Sequence, residues 1–243
     1  QSWLASLTYG LLDRLGGVDG IRLLMGVSSA LLAWLVWSLS RPAKTLVPRV
    51  VITGLVIATG AVIWSPRPLL FGLIFMALTL LAIDGRLPQW VLLPVFWLWV
   101  NTHGSFPLGI VAIIVILVGA HLDHLDQSAI KRGLGWSLGG VLLGVVNPLG
   151  PVIIWFPVRL LSRQEMLSNV IEWQSPSFAT PWARLFLVQM VLAVLMLVRR
   201  PSYRTALPLI VFGAAALLGA RNIAFASLVS VPGLAVSMEG LGS

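Results

Sequence analysis

The sequence predicts an all-α fold: a polytopic integral membrane bundle of about eight or nine helical spans, preceded by a short helix lying in the membrane interface. Three observations predict it. First, 58% of the 243 residues are hydrophobic and 10% are charged, with a mean hydropathy of +0.97. Soluble domains carry about 25% charged residues, so this chain cannot cover a water-facing surface and lipid is its natural solvent. Second, apolar runs recur along the whole length, separated by short polar stretches. Third, the polar residues sort by side. Alternate run ends carry Arg41, Lys44 and Arg49, then Arg86, then Lys131 and Arg132, then Arg199, Arg200 and Arg204. The opposite ends carry Ser65-Pro66-Arg67-Pro68, Asn101-Thr102-His103-Gly104, Asn147-Pro148, Glu172-Trp173 and Arg221-Asn222.

The elements follow in order. Residues 2–15 place Trp3, Leu7, Leu11 and Leu15 at helical spacing, with Ser2, Ser6 and Asp13 elsewhere on the wheel. This stretch is short and charged at its end, which fits an interfacial amphipathic helix ended by Gly16-Gly17. The expected spans are 21–39, 47–64, 69–83, 90–100, 108–120, 134–146, 183–198, 206–219 and 223–236, the last broken by Pro232. Several fall below the roughly 20 residues needed to cross hydrocarbon, so their ends extend through polar residues or stop within the membrane. Gly135, Gly139, Gly140 and Gly144 form small-xxx-small pairs in the sixth span and read as packing. No Gly-rich or Ser-rich linker divides the chain. Residues 1–243 therefore read as one transmembrane helical domain. The start at Gln1, with no leader pattern, reads as an internal portion of a longer protein.

The formal charge of +8 and a pI near 11.5 do not point to nucleic acid, because the basic residues are spread over membrane-proximal loops. They read as topology determinants and contacts for anionic lipid. Both lysines and most short-loop arginines fall on one side, which makes that side cytoplasmic. There are no cysteines, so neither a disulfide nor a Cys-based metal site exists.

Candidate chemistry gathers on the other side. The fourth span is too short to reach the outer surface, which sets Asn101 and His103 below the headgroup plane. Non-helical backbone at that depth lies inside protein or along a watered cavity, and polar side chains there are functional candidates. The alternative is a helix-capping turn at Asn101 and Gly104. Arg67 stands between two prolines on a stiff backbone, and a rigid guanidinium suits phosphate; the blander reading is a snorkelling arginine. Arg221-Asn222 brings a second cation near the same plane. The long segment after Asn147-Pro148 holds Trp155, Arg159, Glu165, Glu172, Trp173 and Trp182. A carboxylate beside an aromatic ring, as in Glu172-Trp173, suits a sugar, against the plainer reading of an interfacial tryptophan belt. His121, Asp123, His124 and Asp126 have ligand-like spacing but lie beside Lys131 and Arg132 and read as a solvated connector. Outer carboxylates are few, so a dedicated metal cage is not expected, and no cofactor is implied.

Taken together, Trp-Leu…Tyr…Leu-Gly-Gly at 3–17, Arg-Pro-Leu-Leu-Phe at 67–71, Trp-Val-Asn-Thr-His-Gly-Ser-Phe at 99–106, Asn-Pro-Leu-Gly at 147–150, Glu-Trp-Gln-Ser-Pro at 172–176 and Arg-Asn-Ile-Ala at 221–224 resemble a group of bacterial integral membrane proteins. That group is similar to the GT-C superfamily of membrane glycosyltransferases. The resemblance runs over almost the whole chain. It implies juxtamembrane helices in the first outer loop, of which residues 2–15 would be one. It also implies transfer of a sugar from a polyprenyl-phosphate or polyprenyl-pyrophosphate donor to an acceptor at the outer face of the bacterial cytoplasmic membrane. On that reading Arg67 and Arg221 hold the donor phosphate, and Asn101, His103 and Glu172 line the cavity. Asn147, Trp173 and Asn222 complete the substrate-binding set. The catalytic aspartate of such enzymes lies in the first outer loop, upstream of this sequence, so no catalytic residue is assigned here.

Two other classes compete. A non-catalytic structural or assembly subunit of a larger membrane complex would share the fold, with other membrane subunits as partners. A transporter or flippase would place ionisable groups at mid-span. Here the charges sit at span ends, and Gln189 is the large polar residue in mid-span.

Overall fold

The computed structural model describes residues 2–162 and 170–239, and every regular element among them is helical. Glu165 lies outside the described residues. The chain opens with α1 (Trp3–Leu39), bent sharply at Gly17. That residue has φ 53° and ψ −142°, a backbone state that L side chains rarely adopt. A Cβ on Gly20 would stand 2.4 Å from the Leu12 carbonyl oxygen, so the fold-back needs both glycines. Before the bend, Ala5 is buried and Trp3 packs on the core, while Leu7, Leu11 and Leu15 are exposed. The stripe expected on residues 2–15 is therefore split: its first member turns into the bundle and the other three face outward.

The next helices are α2 (Leu46–Gly60), α3 (Leu69–Ile83), α4 (Leu92–Thr102), α5 (Phe106–Leu122) and α6 (Ser128–Leu143). The short α7 (Val152–Leu161) follows, then α8 (Pro181–Arg199), α9 (Tyr203–Leu218), α10 (Ile223–Val229) and α11 (Val231–Ser237). Three stretches are long and apolar enough to cross a membrane: Trp3–Ala43, Pro181–Arg199 and Ala220–Ser237. Helices α2, α3, α5 and α9 are apolar but shorter. The chain is thus a helical membrane protein by length and composition. Its last apolar run breaks at Ser230, not at Pro232. Proline is tolerated in the first turn of a helix, where its missing N–H has no partner to lose, so the break falls just upstream.

Helix α3 is central, with most of its residues buried. Helix α6 packs on α4 through its glycines: Cβ atoms on Gly140 and Gly144 would lie 2.4 Å from the Leu93 carbonyl oxygen and 2.7 Å from Val100 Cγ1. Gly135 faces open space. Mid-span Gln189 on α8 is fully buried; its amide donates to the Ser227 carbonyl (3.0 Å) and Ser230 Oγ (2.9 Å) and accepts from the Ser227 hydroxyl (2.6 Å). These bonds clamp α8 to α10 and leave the amide with no unmet need.

At one end of the bundle, Asp123 does more than fill a connector. Its carboxylate accepts from the Ser202 hydroxyl (2.6 Å) and from the backbone amides of Tyr203 (2.9 Å) and Arg204 (2.8 Å). It caps α9 from about eighty residues away, satisfying amides that a helix start leaves open. Burial pushes its carboxyl up, but the Ser202 hydroxyl and the Arg204 and Tyr203 amides outweigh this and hold it below the usual aspartate range. Beside it, Arg204 donates to Asp84 at the end of α3 (3.0 Å).

Candidate functional site

At the other end of α3, four non-helical segments meet. The first is the turn before α3, where Pro66 and Pro68 flank Arg67. The second is the connection between α4 and α5, extended at His103 and restarted as helix at Phe106, just after Ser105. The third is the 3-10 turn Ile171–Trp173, and the fourth is the 3-10 turn Ala220–Asn222. The last two are tied together by the Ala220 amide, which donates to the Gln174 carbonyl (2.9 Å). Between the four segments opens a cavity of about 470 Å³, lined by Arg67, His103, Glu172, Trp173, Arg221 and Asn222, with Pro157 and Leu160 of α7 on one side.

The charges within it are arranged in a definite way. Arg67 donates to the Glu172 carboxylate, and both side chains are about half exposed. The Arg221 guanidinium lies over the Trp173 ring, 4.1 Å from its centroid. Stacking holds the plane of the cation while leaving its N–H groups free. Among the described residues those N–H groups have no hydrogen-bond partner. The cavity thus has two guanidiniums against one carboxylate, and one of the two is unsatisfied. Asn222 donates to the Ala215 carbonyl (2.9 Å), closing the end of α9 next to the turn that carries Arg221.

His103 is fixed from behind. Its Nδ1 accepts from the Ser105 amide (3.2 Å) and sits 2.7 Å from Ser105 Oγ, whose hydroxyl donates to it. The Ser105 oxygen in turn accepts from the Trp99 indole (3.0 Å). A ring nitrogen that accepts carries no proton, so the imidazole is neutral and its Nε2 bears the hydrogen as a donor. Trp99 is fully buried against Phe75 and Phe96, with ring centroids 5.9 and 5.4 Å away. Two glycines make room for this relay. A Cβ on Gly72 would lie 2.6 Å from Ser105 Oγ, and one on Gly109 would lie 2.6 Å from the Trp99 ring.

Two residues named from the sequence do not line the cavity. Asn101 is fully buried: its oxygen accepts from the Trp3 indole (2.7 Å) and its amide donates to the Trp97 carbonyl (2.8 Å). It fastens α1 to α4. Asn147 is used locally. Its oxygen accepts from the Leu149 amide (2.6 Å) and its amide donates to the Gly144 and Gly150 carbonyls, an Asx turn closing α6. Conversely, Trp99, Ser105 and Gly72 support the site without having been singled out. Ser105 stands within the quoted Asn-Thr-His-Gly-Ser-Phe stretch, so a serine two residues after a buried histidine was the available signal; Gly72 gave none. His121, grouped by spacing with Asp123, His124 and Asp126, pairs through Nδ1 with Gln127 (3.0 Å).

No protein-family model matches the chain, and no curated protein or solved structure matches it.

Proposed function

We propose that this chain is a membrane glycosyltransferase of GT-C-like architecture that takes a sugar from a polyprenyl-phosphate or polyprenyl-pyrophosphate donor. The observation that carries the reading is the unsatisfied Arg221 guanidinium, stacked on Trp173 and sharing one cavity with Arg67, His103 and Glu172. Two guanidiniums suit a phosphate, which accepts in the plane of the fork. In the transfer, the bond between the anomeric carbon and the donor phosphate oxygen breaks as an acceptor hydroxyl oxygen bonds to that carbon, its proton passing to the upstream aspartate that the resemblance implies. Charge grows on the departing phosphate, where Arg221, Arg67 and the His103 Nε2–H stabilise it. A phosphate that takes up Arg67 also frees Glu172 to accept from sugar hydroxyls. In this reading the shorter apolar helices complete about eight or nine crossings of the bacterial cytoplasmic membrane. The cavity then opens on the extracytoplasmic face, opposite the basic loops.

A second reading has one observation in its favour. Among the described residues Glu172 is the cavity's one carboxylate, and it is ion-paired. A non-catalytic subunit that binds a lipid phosphate without transfer would have that arrangement.

The test is transfer from a labelled polyprenyl-phosphate sugar by the full-length protein in nanodiscs. Transfer that falls at least a hundredfold on Arg221→Gln supports the enzyme. Lipid-phosphate binding without transfer selects the subunit, and neither binding nor transfer overturns both. Orientation is tested separately. The chain has no cysteine, so His103→Cys should react with a membrane-impermeant maleimide from outside and His124→Cys should not. The reverse pattern inverts the topology.

A further inference from the structure

A second cavity, of about 380 Å³, opens at the opposite end of α3, among the ends of α8, α9 and α11. The full length of α3, about 22 Å at helical rise, separates it from the first. Its rim carries Arg86, Arg200 and Arg204 against the single lining carboxylate Asp84. Each guanidinium is only partly used. Arg86 donates to the Ser38 carbonyl; Arg200 to the Val236 carbonyl (3.2 Å) and Glu239 (2.7 Å); Arg204 to Asp84 (3.0 Å). Glu239 is shared with Lys44, so the acid beside Arg200 is itself divided between two cations. Below the rim the lining turns apolar, with Leu80, Ile116, Leu209, Val229 and Leu234. Ile116 lies six residues before the end of α5, so the hollow runs about 9 Å along the helices. Ala193 and Leu197 of α8 line the hollow, and their chain neighbours Val194 and Val198 stand exposed.

We infer that this cavity holds an anionic phospholipid, its phosphodiester between Arg86, Arg200 and Arg204 and the start of one acyl chain in the apolar depth. Arg86, Arg200, Arg204 and Lys44 against Asp84 and Glu239 leave an excess of positive charge that favours an anion. A soluble phosphate would leave the apolar depth unfilled, whereas a lipid satisfies rim and depth together. Leu197 of the apolar helix α8 stands in the lining, so an acyl chain would pack against a helix long and apolar enough to cross a membrane. Basic pockets between membrane helices bind acidic headgroups on this principle. The inference does not depend on the transferase reading, because the two sites share no lining residue.

The experiment is native mass spectrometry of the full-length protein with dioleoyl phosphatidylglycerol, dioleoyl phosphatidylcholine or glycerol phosphate, with melting temperature followed in parallel. Phosphatidylglycerol should be retained at least tenfold more than phosphatidylcholine and should raise the melting temperature; glycerol phosphate should neither bind nor compete. The double variant Arg86→Gln, Arg200→Gln should lose that preference, and Arg67→Gln should keep it. Leu197→Trp, which fills the lining with every cation intact, should reduce retention at least tenfold and covers the case in which the double variant fails to fold. Equal retention of the two lipids, preference surviving Leu197→Trp, or displacement by glycerol phosphate each overturns the proposal, the last in favour of a soluble anion.

Discussion

Replacing Glu172 by Gln removes the carboxylate that holds Arg67 and leaves the stack of Arg221 on Trp173 in place. The Arg67 and Glu172 side chains are 60% and 48% exposed. A pair that open to solvent contributes about 0–1 kcal/mol to stability, so the variant folds. A phosphate bound to Arg67 sits about 5 Å from the Glu172 carboxylate and is repelled by about 1 kcal/mol in water-like surroundings, and by about 3 kcal/mol in a drier cavity. Taking the lower value because the pair is half exposed, Glu172→Gln tightens lipid-phosphate binding about fivefold. The assay is equilibrium binding of a polyprenyl phosphate to the purified protein in neutral nanodiscs, with sugar transfer measured alongside. On the proposed transferase reading binding should strengthen while transfer falls, since the carboxylate proposed to meet the sugar hydroxyls is gone. Arg221→Gln should weaken both. Unchanged or weaker binding by a folded Glu172→Gln protein would refute the claim that this carboxylate competes for the cation.

Trp3→Phe strands the buried Asn101 oxygen, and thermal unfolding in detergent should show a loss of about 1–3 kcal/mol. Gly140→Val drives side-chain atoms into the Leu93 carbonyl oxygen and should cost about 1–3 kcal/mol or more by the same measurement. Gly135→Ala meets nothing within 4 Å and should stabilise by about 0.5–1 kcal/mol through helix propensity. Because the Asp123 carboxyl is held below its usual range, its contribution is complete above the unfolded value of about 3.9 and is lost as pH falls through the lower folded value. The melting temperature should therefore stay flat from neutral pH to about 5 and decline below about 4. Asp123→Asn should flatten part of that decline, and an identical acid profile in the variant would remove the residue from the account.

Local patterns in the sequence carried much of this arrangement, and distant pairings carried the rest. Apolar runs marked the helices because burial in lipid leaves few polar positions to confuse the pattern, and Gly16-Gly17 marked the bend because Gly17 takes a backbone state that other residues avoid. The gathering of Arg67, His103, Glu172, Trp173, Arg221 and Asn222 at one end was legible because alternate span ends must share a side. Asn101 was misplaced because its partner, Trp3, is nearly a hundred positions away; no periodicity encodes which buried amide meets which indole. Asp123 escaped for the same reason, since it caps a helix that begins about eighty residues later. Asn147 was different: Asn-Pro-Leu-Gly is itself a turn signature, and its side chain was already committed to its own loop. The short α7 was missed because ten residues containing Pro157 read as connector.

The indole of Trp99, wedged between notches at Gly72 and Gly109, has a consequence for how this cavity can change. The wall formed by His103 and Ser105 is backed by close-packed aromatic rings and cannot yield to a new ligand without disturbing three helices at once. The turns at 171–173 and 220–222 are joined to each other by the Ala220 amide on the Gln174 carbonyl and by the Arg221 guanidinium on the Trp173 ring. On the proposed transferase reading, altered substrate preference would be written into those two turns while the histidine behind them stays where it is.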